Sequence, residues 1–492
     1  MGRNSISFGT LRTCMVYHEQ RLWGGGMLRP RYLVGLLLLA VLAWAGWQVH
    51  AAARVAVGYS AKQLCSGAFV SGLPRNFVVD HDILPRMSPL GPARGLLRLE
   101  LDEARGEARA RLLTASAVAG YQSAARGCTL HLPGISVPRV QPAGARQPRS
   151  PFAYADTPSL MMALDAAFIE PVTGGRRTLA VLVAHRGMLV AERYAAPVTA
   201  TTPLQGWSMN KSLLATWVAL LADEGRLEIG QPLRPRLLDL DAPEDVIDAV
   251  SPDLTLEHLL RMHSGFAFDE RYGPGSNATS MLYGERAMWQ SAARTGHHSE
   301  PGVRFNYSSG DSNLAAYLWQ SALPVDDYSE WLATSFSLPL GLSSLVAEAD
   351  ASGVQVASSY AFLSARDWLA IGQLWLDAWH GRSRLLAQSW QRAAVTPQPA
   401  APGGVAPYGL GFWLNTAEAA FPGQPETLFL ARGNAGQYVL VLPEQELVIV
   451  RLGLSEASAD DGVQVLVRDV MAAVSQSRSA QARLFGHRHP IL

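Results

Sequence analysis

Two apolar β-hairpins at opposite ends of a long stretch constrain this chain more than any other feature. The first runs from Thr178 to His185 (TLAVLVAH), turns at Arg186-Gly187, and returns from Met188 to Tyr194 (MLVAERY). The second pairs Gln437 to Leu442 with Glu446 to Leu452 across Pro443-Glu444-Gln445. Neither hairpin can bury both its faces alone, so the two halves must meet in one sheet. Apolar residues at helical spacing over Leu160 to Ile169 precede the first hairpin, and Asp460 to Val474 reads as a closing helix after the second. From about 240 to 400 the pattern is mostly helical and loop-like, with Thr255 to Met262 a clear short helix. This order predicts an α+β fold (α/β sandwich) over 153–476: an antiparallel sheet built from both ends, flanked by helices, with a helical insertion.

The front of the chain is organised differently. Residues 32–49 run without a charge (YLVGLLLLAVLAWAGWQV), close to the minimum for a membrane-spanning helix. Arg3, Arg12, Arg21, Arg29 and Arg31 stand before it against Glu19 alone, which by the positive-inside rule makes 1–31 a cytoplasmic tail and 32–50 a single-pass anchor. The expected place is therefore a bacterial inner membrane with the bulk of the chain in the periplasm. A cleaved signal peptide ending near Ala51-Ala52-Ala53 is the alternative, and Met27 is an alternative start. Residues 54–135 form a small accessory domain, with an apolar stretch at 67–79 and an Arg/Glu/Ala-rich segment near 94–113. Residues 136–152, rich in Pro, Arg and Gly, read as a linker, and 477–492 as a C-terminal tail. Of the three cysteines, Cys14 falls on the cytoplasmic side, while Cys65 and Cys128 fall in an oxidising compartment. They are expected to form a disulfide, the alternative being two buried free thiols.

Among 41 basic residues only Lys62 and Lys211 are lysine. Arginine cannot be deprotonated in a protein, whereas a buried lysine can act as a base. Lys211 stands three residues after Ser208 in GWSMNKS, at the start of an apolar helix carrying Leu213, Leu214, Trp217, Leu220 and Leu221 and stopping at Gly225. That spacing puts a serine nucleophile and a lysine base one turn apart, with the helix dipole favouring negative charge at the serine. Two further elements are Phe305-Asn306-Tyr307-Ser308-Ser309-Gly310 and Ala431-Arg432-Gly433-Asn434-Ala435-Gly436-Gln437. Tyr307 can pass a proton, Ser309 can bond to its neighbours and to substrate, and the Gln437 amide can be a donor to an oxyanion. Read singly, Tyr307 is a packed core tyrosine and the glycine-rich strand entry a turn.

Taken together, these elements resemble the serine β-lactamase and penicillin-binding-protein superfamily, in the branch related to class C β-lactamases and 6-aminohexanoate-dimer hydrolase. GWSMNKS, TLEHLLRMHSGFAFDE, PGVRFNYSSGDSNL, YGLGFW and ARGNAGQYVLVLPEQELVIVRLG carry the resemblance, over about residues 155–475. It implies the β-lactamase/DD-peptidase fold. It also implies a Ser208 nucleophile, Lys211 as base, Tyr307 as proton shuttle, and an oxyanion hole from the Ser208 and Gln437 amides. Ser309, Arg432, Asn434 and Gly436 would contact substrate. Two departures matter: Ser309 replaces the Asn of Tyr-x-Asn, and Asn434 stands where Lys or His is usual. Losing that cation removes a partner for a substrate carboxylate, so an esterase or amidase acting on small-molecule esters or amides is favoured over a β-lactamase or D-Ala-D-Ala carboxypeptidase. A non-catalytic sensor or binding module is the competing class.

Zero formal net charge gives no hint of a nucleic-acid partner. His297-His298 lacks a surrounding cluster with ligand spacing and reads as an exposed loop, His263 as a loop or core residue. No metal and no cofactor is expected.

Overall fold

The structure, a computed structural model, describes residues 30–131, 158–399, 405–416, 421–457 and 459–485. Most of the expected cytoplasmic tail, Cys14, Met27 and the linker at 136–152 lie outside the described residues. Two compact units divide the chain at residue 49, and the segments 54–135 and 153–476, expected as separate domains, both fall within the second, 50–492.

The first described element is helix α1 (Pro30–Cys65). Among the described residues no helix is long and apolar enough to cross a membrane. The anchor expected over 32–50 is therefore not supported among the described residues. Beyond α1 the accessory segment forms a four-stranded antiparallel meander of β1 (Arg98–Asp102), β2 (Glu107–Leu112), β3 (Ala115–Ser123) and β4 (Gly127–His131). Cys65, at the end of α1, is joined by a disulfide to Cys128 on β4. Beside it Lys62 pairs with Glu348, both buried. Glu348 also accepts from Ser66 Oγ (2.8 Å) and from the Cys128 amide (2.7 Å). The second lysine thus has a structural place, pinning α1 and β4 to the larger body; removing either partner leaves an uncompensated buried charge.

The main sheet uses β5 (Thr178–His185), β6 (Met188–Tyr194), β10 (Trp413–Leu414), β11 (Phe429–Gly433), β12 (Gln437–Leu442) and β13 (Leu447–Gly453) in the order β10-β11-β12-β13-β5-β6. The two hairpins meet where β13 pairs antiparallel with β5, Ile449 opposite Val183. Alternation along the strands sorts side chains to two cores. Leu182, Val439, Val441, Val448 and Val450 pack on one face, with Val183, Leu440, Leu442, Leu447 and Ile449 on the other. Helix α2 (Pro158–Ala167) packs with the closing helix α6 (Val463–Phe485) beside the second set, while α5 (Ala365–Trp379) packs on the first. A Cβ on Gly372 of α5 would lie 2.4 Å from Val448 Cγ1, so glycine there sets how closely helix meets sheet. The helix expected from Asp460 starts at Val463, because Asp461 Oδ1 accepts from the Val463 amide (3.1 Å). It continues to Phe485, into the expected C-terminal tail.

The insertion carries α3 (Asn210–Asp223) and α4 (Ser309–Ser321), together with a small sheet in which β9 (Ala361–Leu363) lies between β7 (Leu204–Gln205) and β8 (Val346–Ala347). Leu256–Leu260 is a short helix whose N-cap Thr255 closes a box with His258.

Candidate active site

A 3₁₀ turn, Trp207–Met209, leads straight into α3, which puts Ser208 at a helix start and Lys211 in the first turn of α3. Both are buried, Ser208 at 9% and Lys211 at 2% exposure. Lys211 Nζ lies 3.1 Å from Ser208 Oγ, 3.0 Å from Ser309 Oγ and 3.2 Å from the Ser358 carbonyl. Burial pulls the Lys211 ammonium down to about 8, against the opposing charges of Glu270 and Asp311. The amine is thus poised to lose its proton near neutral pH.

Tyr307 immediately precedes the N-cap of α4, and its ring centre is 4.8 Å from Lys211 Nζ. Trp413 lies against the ring at 4.9 Å and Tyr408 stands edge-on at 5.5 Å. Burial first, then Tyr408 and Glu270, push the Tyr307 phenol well above its ordinary value, with the Ser208 hydroxyl opposing. The phenol therefore stays protonated, suited to passing a proton and unsuited to being the initial base.

The loop after Phe268 supplies groups the sequence analysis did not single out. Glu270 accepts from Ser309 Oγ (2.6 Å) and from the Ser309 amide (2.7 Å), at the N-terminus of α4 where a carboxylate is favoured. Asn306 Nδ2 donates to the carbonyls of Phe266 and Phe268, both at 3.1 Å, and so fixes this loop against Tyr307. Burial raises the Glu270 carboxyl, and the charge of Lys211 opposes it. An acidic residue in a loop ordinarily reads as solvated, and no spacing signal separates Glu270 from the others.

A cleft of about 320 Å³ opens over Ser208, bounded by Glu270, Tyr272, Tyr307, Trp413, Arg432 and the turn Gly433 to Gly436. Arg432 is exposed, with its guanidinium 5.7 Å over the Tyr438 ring. Asn434 is half-buried, its Oδ1 accepting from the Ala435 amide at 2.9 Å. Gly436 takes φ +76°, where a side chain would also meet Arg451. Gln437 is not among the residues lining this cleft. It opens β12 opposite Gly433, and its side chain is bonded to the carbonyls of Gly453 (2.6 Å) and Ala435 (3.0 Å). The turn Asn434–Gly436 carries the chain across to the next strand before Gln437 begins, so the strand end facing Ser208 is Gly433-Asn434. A Cβ on Gly433 would lie 2.1 Å from the Gly206 carbonyl oxygen, which measures how tightly β11 seats on the nucleophile turn.

His263 is buried, edge-on to Phe305, while His297 and His298 are exposed. Among the described residues no group of three His, Cys, Asp or Glu could hold a metal ion.

With this geometry in view, three findings from known proteins bear on the fold. A protein described as a candidate 6-aminohexanoate-dimer hydrolase from Bacillus anthracis has a similar structure, with a TM-score of 0.54 at 18% identity over 67% of this chain and 88% of that one. A penicillin-binding-protein homologue from Caulobacter crescentus gives a TM-score of 0.50 at 15% identity over 64% and 97%. A family VIII carboxylesterase gives 0.50 at 15% identity, also over 64% and 97%. No curated protein matches the sequence significantly. The beta-lactamase family profile matches residues 164–467, well over half of the chain and including Ser208, Lys211, Tyr307 and the Gly433 strand end. The chain belongs to the beta-lactamase family of serine hydrolases.

Proposed function

We propose that this protein hydrolyses small esters or amides through an acyl-Ser208 intermediate, with Lys211 as base and Tyr307 as proton shuttle. The observation that carries the reading is the buried Lys211 amine 3.1 Å from Ser208 Oγ, held near its deprotonation point. Neutral Lys211 takes the Ser208 proton as Oγ attacks the substrate carbonyl. The developing oxyanion is met by backbone N–H groups at the helix start and at the Gly433-Asn434 strand end. Collapse breaks the bond to the alcohol or amine, which leaves with a proton relayed from Lys211 through Tyr307. Water then attacks the acyl carbonyl, releasing the acid and restoring Ser208. A carboxylate-bearing β-lactam or D-Ala-D-Ala peptide is less favoured, because Asn434 is neutral and its oxygen is already engaged.

The direct test is a fluorophosphonate on the full-length protein, followed by intact mass and peptide mapping. A single adduct on Ser208, absent from Ser208→Ala, is the expected result; a folded protein that takes no label is instead the non-catalytic binding module.

The same reading places the enzyme in a bacterial inner membrane, with residues 32–50 as anchor and the catalytic domain in the periplasm. The uncharged run at 32–49 supports it, as do the exposed apolar side chains Leu37, Leu42, Trp44 and Trp47 on α1 and a disulfide suited to an oxidising compartment. The full chain is expected to stay with membranes through alkaline extraction; release into the supernatant would reject the anchor.

A further inference from the structure

The residue next to the nucleophile is under strain. Trp207 has φ +49°, a left-handed conformation that is unfavourable for a bulky side chain and persists only where its surroundings impose it. Part of those surroundings comes from the accessory segment. The Tyr59 ring of α1 stacks over Trp207 with centroids 6.5 Å apart and planes within 9°, and the Arg86 guanidinium lies 5.6 Å over the same indole. Asp82 ties these two together, accepting from Tyr59 Oη at 2.5 Å and Arg86 Nε at 3.0 Å. Gln63 bonds both to Asp82 and to Gln205, two residues before Trp207, at 2.9 Å each. A Cβ on Gly206 would meet the Trp368 ring at 2.2 Å, so the turn is also closely packed at the residue before Trp207.

We propose that Tyr59, Asp82 and Arg86 are positioning residues that hold Trp207, and through it Ser208, in the attacking geometry, so that residues 54–135 belong to the working site. No member of the cluster lines the substrate cleft, and the effect passes through backbone placement. The proposal rests on Ser208 being the nucleophile.

The test measures fluorophosphonate labelling rates and steady-state ester hydrolysis on full-length Tyr59→Ala, Tyr59→Phe and Arg86→Ala, with circular dichroism and melting curves alongside. Tyr59→Ala and Arg86→Ala are each expected to slow labelling and lower kcat by about tenfold or more, with KM within about threefold, since small misplacements of reacting groups have large rate effects. Tyr59→Phe keeps the stacked ring and should remain within about threefold of wild type. What a general loss of stability would not produce is slowed labelling and lowered kcat in Ala variants whose circular dichroism and melting curves match wild type at the assay temperature. Arg86 is partly exposed, 23% for its side chain, so its variant carries the test if Tyr59→Ala fails to fold. Folded Ala variants labelling at the wild-type rate overturn the inference while leaving the nucleophile in place. Absence of label on the wild-type protein overturns both.

Discussion

Lys211→Arg should lose nearly as much activity as Lys211→Ala, about 10²–10⁴-fold in kcat/KM, because what is lost is a proton acceptor and both variants lose it. Arginine keeps the positive charge near Ser208 and Ser309, so an account in which Lys211 acts only electrostatically predicts that Lys211→Arg is mild. Burial favours the proposed base: the amine is enclosed and pulled down to about 8, which makes a neutral form accessible whose bond with Ser208 Oγ runs the other way. The neutral amine then accepts the hydroxyl proton. Steady-state esterase kinetics on the two variants decide it, and retention of a tenth or more of the activity by the arginine variant would exclude the base role.

The same assignment fixes the sign of the pH dependence. The active form needs neutral Lys211, so kcat/KM should rise with pH through about 8 and level off above it. Tyr307 does not produce a second rise in this range, because burial and its neighbours keep the phenol protonated well beyond its ordinary value. The opposing charges of Glu270 and Asp311 hold the amine up, so Glu270→Gln should move the midpoint downward.

What the sequence made legible follows from how each element is written. The hairpin strands 178–185, 188–194 and 437–442 emerged with their observed limits, because long Val/Leu runs bounded by a tight turn leave little choice. The accessory meander did not emerge. In EARARL the buried alternation Ala108, Ala110, Leu112 is present, but alanine and arginine are helix formers with little β signal, so tertiary packing rather than propensity decides the strand. In the site, Ser208, Lys211, Tyr307 and Ser309 were readable as spacing and residue chemistry, and the structure brings them together. The proposed second oxyanion donor differs from the Gln437 amide expected from sequence, because Gly433 and Asn434 line the cleft and Gln437 does not, and a glycine-rich run does not reveal where its turn falls. Tyr59, Asp82 and Arg86 had no signal at all, because their role arises only when α1 packs behind Trp207.

Gly433→Ala should be the most damaging change outside the reacting groups. The added methyl would sit 2.1 Å from the Gly206 carbonyl oxygen and 3.1 Å from Gln437 Cβ. The first neighbour is backbone and cannot rotate away, so β11 and the nucleophile turn must separate. Overpacking of this kind costs about 1–3 kcal/mol in stability. The larger consequence is chemical, because the turn carrying Ser208 and the strand end carrying the second amide move apart, and a displacement near 1 Å costs about 100-fold in rate. Gly230→Ala is the matched control, with open space around its Cβ, and should leave activity and melting temperature essentially unchanged. A folded Gly433→Ala protein that labels at the wild-type rate would mean that the strand end does not serve the oxyanion, and the second donor would have to be sought elsewhere around the cleft.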